Sequence, residues 1–224
     1  MSLTNVLTSW LEVLERHYGI AADPVPATND ELDDLTEFWG CALPDELTEL
    51  LKVGNGFFAD QLGYLLPNLP MPSITELMQY KDPAWGGISG WFGDGGIHYI
   101  NSGYLDHDNF ICIGMRNGIE LGVASGGSAH GAVFALDDNR FEWVATSLTK
   151  LFEYCLFYDE AGYFEYDLTY GYKLRFAKPG RPVHPKLMNG WSIMPYDPDY
   201  DGKIPIGAWQ WPPKPGATYD PAYS

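Results

Sequence analysis

The stretch that decides the fold is residues 27–56, ATNDELDDLTEFWGCALPDELTELLKVGNG. Thr28 and Glu31 form the Thr-x-x-Glu pattern of a capping box, which satisfies exposed amide groups at the start of a helix. The apolar residues that follow recur at helical spacing and form a stripe that we expect to be buried: Leu32, Leu35, Phe38 and Trp39. The pattern predicts a helix that begins after Thr28 and ends at Gly40.

A second helix is predicted in the same stretch, after the sharp chain entry set by Leu43-Pro44. Three leucines share its inner face: Leu47, Leu50 and Leu51. We expect it to end at residues 54–56 (Gly-Asn-Gly), because these residue types tolerate the left-handed conformation of a helix C-cap. We therefore expect the residues at the helix ends to determine the fold and to have no chemical role: Gly40, Leu43-Pro44 and the Gly-Asn-Gly at 54–56.

Outward from this stretch, hydrophobic periodicity predicts three more helices, at 3–18, 73–80 and 147–157. Short strands are predicted between Gly and Asn/Asp turns at 110–114, 119–124, 132–136 and 142–145. Helices, then consecutive strands, then a helix indicate an α+β fold with N-terminal helices packed on a mostly antiparallel sheet.

The composition of the chain changes near residues 159–162. Residues 1–158 carry a net charge of −16, whereas residues 159–224 carry −1 with 10 of the 17 prolines and 8 of the 15 tyrosines. We therefore predict a main domain over 1–158 and a Pro/Tyr/Trp-rich C-terminal extension over 159–224 that packs on it. Strict alternation over 164–176 predicts either one strand bent at Gly171 or a hairpin with a three-residue loop, and both keep one face apolar.

Charge and cysteine content limit the class of protein. With 30 acidic against 13 basic residues, the chain has a net charge of −17, which disfavours contact with nucleic acid or a membrane surface and favours a basic partner. No apolar window is long enough to span a bilayer, and the N-terminus lacks the basic region of a secretory signal. The three cysteines lack metal or disulfide spacing, so we expect buried thiols in a cytoplasmic protein.

The order of these elements and the residues at their junctions resemble the SUKH superfamily, in particular its Smi/Knr-type branch. The residues that carry the resemblance are Trp39, Gly40, Leu43, Pro44, Asn55 and Gly56. It covers residues 1–158 and leaves the extension unexplained. The family pattern usually has an aliphatic residue where Trp39 stands.

The resemblance implies a bacterial immunity protein that binds a polymorphic toxin and covers its active surface, with neither catalysis nor a cofactor. Such toxins are often nucleases or nucleic-acid-modifying enzymes, so a basic protein toxin is the expected partner. The acidic residues that we expect at the contact are Asp33, Asp34, Glu37, Asp137, Asp138 and Glu142. Each of them alone is also typical of a solvated exterior. Fungal members act in cell-wall regulation, so a non-catalytic regulatory scaffold is an alternative.

Two sequence features resemble chemical sites: a hydrolase nucleophile and a calcium-binding loop. Ser128 and His130 approach a hydrolase nucleophile elbow, but His130 stands where the second glycine is required, so a hydrolase is the least favoured alternative. Three aspartates copy the first half of a calcium loop: Asp197, Asp199 and Asp201. Ala208 replaces the bidentate Glu of such a loop, so an Asp-rich turn is the default and the metal site a weak alternative.

Overall fold

In the computed structural model, the chain is described at residues 2–22, 24–57, 65–66, 71–80, 98–100, 103–105, 110–116, 119–126, 129–137, 140–167, 173–176 and 198. Five helices lie in these ranges: α1 (Leu3–Tyr18), α2 (Asn29–Trp39), α3 (Asp45–Val53), α4 (Ile74–Tyr80) and α5 (Leu148–Glu160). All five correspond to predicted helices, and their ends differ from the predicted ones by a few residues at most.

The larger sheet is a four-stranded antiparallel meander in the order β3 (Phe110–Arg116), β4 (Ile119–Ala124), β5 (Val133–Asp137) and β6 (Arg140–Ala145). Each strand pairs with its neighbour in the chain, as short turns between antiparallel strands require. Register shifts interrupt the ladder once between β3 and β4 and once between β5 and β6. The predicted α+β class with a mostly antiparallel sheet is confirmed.

Two hairpins lie outside this sheet. One joins β1 (His98–Ile100) to β2 (Gly103–Leu105), which the sequence did not predict. The other joins β7 (Phe164–Asp167) to β8 (Lys173–Phe176), with Phe164 opposite Phe176. The alternating segment is therefore a hairpin rather than one bent strand.

Helices α1 and α5 pack side by side and point the same way. At their N-terminal ends, both are held by α3: Glu49 accepts a hydrogen bond from Thr4 N–H, and Glu46 accepts one from Thr149 N–H. At their C-terminal ends, the Asp159 carboxylate accepts a hydrogen bond from the Tyr18 hydroxyl. The three helices thus form a frame that is joined at both ends.

One group of aromatic core residues lies where α1 and α5 meet β7. Trp10 of α1 is fully buried, and its ring lies 5.8 Å from that of Phe164, the first residue of β7. Tyr158 of α5 contacts the same Phe164 ring at 6.3 Å. The start of β7 therefore packs into the core that α1 and α5 share.

Helix α3 ends where predicted, but the conformation of its C-cap differs from the expected one. Its C-cap, Gly54, has an extended backbone (φ −160°), so it does not adopt the left-handed conformation that we expected. Glycine is required there for space, because a Cβ on Gly54 would lie 2.6 Å from the Phe57 ring and from the Pro24 Cβ. The left-handed residue of this stretch is Gly56, with φ 87°.

Candidate partner-binding surface

Helix α2 carries three of the acidic residues predicted at a contact, and both of its ends are fixed. Thr28 Oγ1 accepts a hydrogen bond from Glu31 N–H, and the Glu31 carboxylate accepts one from Thr28 N–H at 2.8 Å, which completes the capping box. At the other end, the helix stops at Gly40, as predicted, and Gly40 adopts the left-handed conformation with φ 69°. These contacts from Thr28 hold the pKa of Glu31 below its usual value.

The outward face of α2 is acidic. Its exposed acidic side chains are Asp30, Asp33, Asp34 and Glu37. Within the described part of the chain, none of these four carboxylates forms an ion pair or accepts a hydrogen bond from a side chain. The structure therefore brings the predicted Asp33, Asp34 and Glu37 together on one helix face, with their charges unpaired.

Phe38 also lies on the outward side of α2, so its predicted burial is wrong. Its side chain is 39% exposed, whereas Leu35 and Trp39 are buried. Successive helical residues point about 100° apart, and Trp39 takes the inward position one turn after Leu35. The Phe38 ring stands edge-on to Trp39, with ring centroids 6.2 Å apart and an interplanar angle of 82°. We call Asp30, Asp33, Asp34, Glu37 and Phe38 the α2 face.

The base of α2 is tied to two other segments by Asn55. The Asn55 side-chain amide donates to Glu31 Oε1 at 2.9 Å, and its carbonyl accepts from Ile74 N–H at 2.7 Å. Gly56 follows with a positive φ, and a Cβ there would lie 3.0 Å from Ser73 N. Asn55 and Gly56 therefore join the first turns of α2 and α4.

The remaining motif residues of the α2–α3 connection also have structural roles. Trp39 is buried and Leu43 is partly buried against the core. Pro44 is the N-cap of α3, and its carbonyl accepts a hydrogen bond from Thr48 N–H at 3.0 Å. Together with the left-handed Gly40, these residues fix the direction in which α3 leaves α2.

Two other predicted contact residues, Asp137 and Glu142, lie on strands β5 and β6. Asp137 pairs in register with Arg140, and Glu142 pairs with Ala135. Asp138 lies outside the described residues. The register thus places a basic residue directly opposite Asp137, a feature that the α2 face lacks.

Several acidic residues that the sequence shows as surface charge serve as helix caps. Glu46 and Glu49 of α3 hold the N-termini of α5 and α1. Glu76 accepts from Ser73 N–H at 2.7 Å at the start of α4. Negative charge at a helix N-terminus is favourable because it complements the unpaired amides and the helix dipole. The Ser73-x-x-Glu76 pattern could have been read locally, but the partners of Glu46 and Glu49 are 103 and 45 positions away.

A polar cluster that sequence reasoning missed joins α1 to α5. The Asp159 side chain is only 7% exposed, and it contacts both the Tyr18 hydroxyl and His17 Nδ1, the latter at 3.0 Å. Burial, followed by the hydrogen bond and charge of Asp159, raises the pKa of Tyr18 well above its usual value. The cluster closes the C-terminal ends of the two helices.

A buried carboxylate lies in the middle of the larger sheet. Glu120 of β4 is 2% exposed, and it pairs in register with Met115 on one side and Leu136 on the other. Among the described residues, no group donates a hydrogen bond to its Oε2 atom. Burial raises the pKa of Glu120 to about 7. The Cys112 thiol is also buried, and its own burial, followed by the nearby charge of Glu120, raises its pKa.

The alternative chemical sites receive no support from the described residues. Ser128 and the three aspartates at 197, 199 and 201 lie outside them, and His130 is exposed. Where side chains are described, no group of three or more His, Cys, Asp or Glu residues could hold a metal ion. Cys112 and Cys155 are buried, Cys41 is partly buried, and all three are free thiols.

None of the helices within the described ranges combines the length and apolarity needed to cross a membrane.

Comparison with protein families supports the α+β fold described above. Curated protein sequences give no significant match. The model of the SMI1 / KNR4 family (SUKH-1) matches residues 26–154, a range that runs from the base of α2 into α5 and includes every motif residue described above. The chain therefore belongs to the SMI1 / KNR4 family (SUKH-1).

Proposed function

We propose that this chain is an immunity protein that neutralises a basic protein toxin by binding it stoichiometrically and covering its active surface. The observation that carries the proposal is the α2 face, where four exposed carboxylates pair with no cation among the residues that the structure describes. Family membership supports the same role, because bacterial proteins similar to this chain are mostly immunity proteins.

The distribution of acidic residues supports binding over a purely structural use of charge. Glu31, Glu46, Glu49 and Glu76 are committed to helix N-termini, where they stabilise the fold. Asp30 also lies in the first turn of α2, but none of the four carboxylates of the α2 face accepts a side-chain hydrogen bond or pairs with a cation within the described residues. In a chain with a net charge of −17, these free carboxylates attract and orient a basic partner during encounter.

The test is a titration of toxin activity against this protein. The toxin is sought as the variable C-terminal module of a large secreted protein encoded next to this chain, and its identity is checked by co-purification from the native host. Stoichiometric occlusion predicts loss of toxin activity in proportion to added protein, with complete loss near one equivalent. If trace amounts inactivate excess toxin over time, the protein is an enzyme and the proposal is wrong. Purification with cell-wall synthesis factors and no toxin would indicate the scaffold alternative.

A further inference from the structure

Phe38 occupies an unusual position for a large apolar side chain. Among the described residues, the exposed large hydrophobic side chains are Val25, Phe38 and Phe157. Phe38 differs from Phe157 in the charges around it. Glu153, one turn before Phe157, forms an ion pair with Lys150, whereas the acidic residues beside Phe38 form no ion pair within the described residues. Asp34 precedes Phe38 by one helical turn, and Glu37 is adjacent to it.

The position of Phe38 is set by a helix that is capped at both ends. Its ring stands edge-on to the buried Trp39, and the left-handed Gly40 ends the helix directly after them. The opposite end of α2 is fixed by the capping box and by Asn55. A side chain that is already oriented loses little conformational entropy on binding, which favours a contribution to affinity.

From this arrangement we infer that Phe38 is the apolar anchor of the partner contact. It enters an apolar pocket on a basic protein, and Lys or Arg side chains around that pocket pair with the carboxylates of the α2 face. The inference rests on the proposed function and assigns its contact residues. Charge complementarity selects the occupant, because the four carboxylates of this face repel anionic surfaces and pair with no cation in the described part of the chain.

The dimensions of α2 place it at the centre of a larger contact. A helix of 11 residues is roughly 16 Å long. One exposed side of it covers much less than the roughly 800 Å² that each partner contributes to a stable interface. Energy in such contacts concentrates in a few central residues, which are often aromatic, and a charged rim surrounds them. Phe38 corresponds to the central aromatic residue of such a contact, and its acidic neighbours correspond to the charged rim.

The chain provides a matched control in Phe157 of α5. Phe157 is 46% exposed and stands edge-on to the buried Tyr158, with ring centroids 5.4 Å apart and an interplanar angle of 78°. Phe38 has the same residue type, a similar exposure and the same kind of aromatic neighbour. The two positions therefore separate loss of a partner contact from loss of an exposed ring in general.

The experiment introduces the photo-crosslinker p-benzoylphenylalanine at position 38 or position 157 of the full chain in its native host. We expect irradiation to attach one basic protein at position 38 and nothing at position 157. In parallel, Phe38→Ala should weaken binding of the toxin identified above by tenfold or more, whereas Phe157→Ala changes it less than twofold. Thermal unfolding of both alanine variants checks that they are folded.

The outcomes separate this inference from the proposed function. If the wild-type chain neutralises a toxin while position 38 gives no crosslink and Phe38→Ala binds normally, the anchor is wrong and the immunity role stands. If position 38 crosslinks to a basic protein that is not a toxin, the docking surface stands and the immunity role is wrong. Equal losses for Phe38→Ala and Phe157→Ala, or crosslinks at both positions alike, overturn the anchor.

Discussion

Glu46 of α3 accepts two hydrogen bonds from Thr149 at the start of α5, one from the backbone N–H at 3.0 Å and one from the hydroxyl at 2.7 Å. The two residues are 103 positions apart, and Thr149 is nearly buried. This pair connects the stretch at 27–56 to helix α5. It therefore gives Glu46, in the Leu-Pro-Asp-Glu-Leu segment at 43–47, a structural role.

Substitution of Glu46 by Ala is expected to destabilise the protein by about 1–2 kcal/mol, because it removes a helix cap and leaves a nearly buried hydroxyl unsatisfied. Chemical denaturation of Glu46→Ala, Thr149→Val and the double variant measures the coupling between them. The matched control is Asp45→Ala, since Asp45 is exposed on the same first turn of α3. Equal losses for Asp45→Ala and Glu46→Ala would contradict the capping role.

Substitution of Gly122 by Ala tests the packing of the larger sheet. A Cβ on Gly122 would lie 2.3 Å from the ring of Phe110 and 2.8 Å from the Ile111 carbonyl oxygen. Because Phe110 is fully buried, its ring can shift only by disturbing the core around it, so we expect a loss of about 1–3 kcal/mol. Gly126→Ala is the control, because a Cβ there meets nothing within 4 Å. The explanation fails if both variants unfold at the same denaturant concentration.

Glu120 makes the stability of the fold depend on pH. Its pKa of about 7 in the folded protein lies above the ordinary value of 4.5, so the folded state disfavours the charged form. This penalty is absent below pH 4.5, grows as the pH rises toward 7, and is constant above that. Relative to wild type, Glu120→Gln should therefore gain stability between these pH values, by about 3 kcal/mol at most.

The measurement for Glu120 is the difference in unfolding free energy between Glu120→Gln and wild type across pH 4 to 8. Other carboxylates titrate equally in both proteins, so their contributions cancel in the difference. A difference that stays constant with pH would show that Glu120 does not carry a raised pKa in the folded protein.

Tyr18 should add a second pH effect on the alkaline side. Its pKa is raised by burial and by the Asp159 carboxylate, so the folded state retains the proton after an unfolded chain has lost it. Stability from this contact is complete below about pH 10 and declines as the pH rises further. Wild type should therefore lose stability above pH 10 more steeply than Tyr18→Phe. Parallel stability curves for the two proteins would argue against the contact.

Salt dependence tests whether the α2 face steers the partner. The association rate with a basic toxin should fall markedly between low and physiological ionic strength, because counter-ions screen the attraction. Asp34→Lys combined with Glu37→Lys should slow association and weaken its salt dependence without unfolding α2. The corresponding change on the β5–β6 hairpin, Asp137→Lys with Asp138→Lys, compares the two predicted regions. A wild-type rate that is unchanged by salt would exclude electrostatic steering.

Much of the fold could be predicted because its signals are local. The Thr28 and Glu31 capping box, the left-handed Gly40 and the alternation at 164–176 each depend on neighbours within a few positions. The contact between Glu46 and Thr149 could not be predicted, since nothing near either residue identifies its partner. Gly54 was misread for a related reason: its neighbour Pro24 is distant in the chain, and that contact explains the glycine.

The candidate surface was predicted only in part. Helical periodicity identified the polar side of α2 and thereby Asp33, Asp34 and Glu37. It failed at Phe38, because hydrophobicity alone cannot decide which of two adjacent aromatic residues turns inward. It also could not separate free carboxylates from capping ones such as Glu49, since both kinds read as surface charge.

The pairing of α1 with α5 has a consequence for synthesis of the protein. Tyr18 and its partner Asp159 are 141 positions apart, and ribosomes add about 5–20 residues per second. Helix α1 therefore waits on the order of 10 s for the helix that covers it. During this delay the apolar stripe that holds Trp10 is without its native cover. Nascent chains that stop before residue 148 should consequently be substrates for chaperones and proteases. Completion of α5 should therefore be the step at which α1 becomes covered and the chain resists proteolysis.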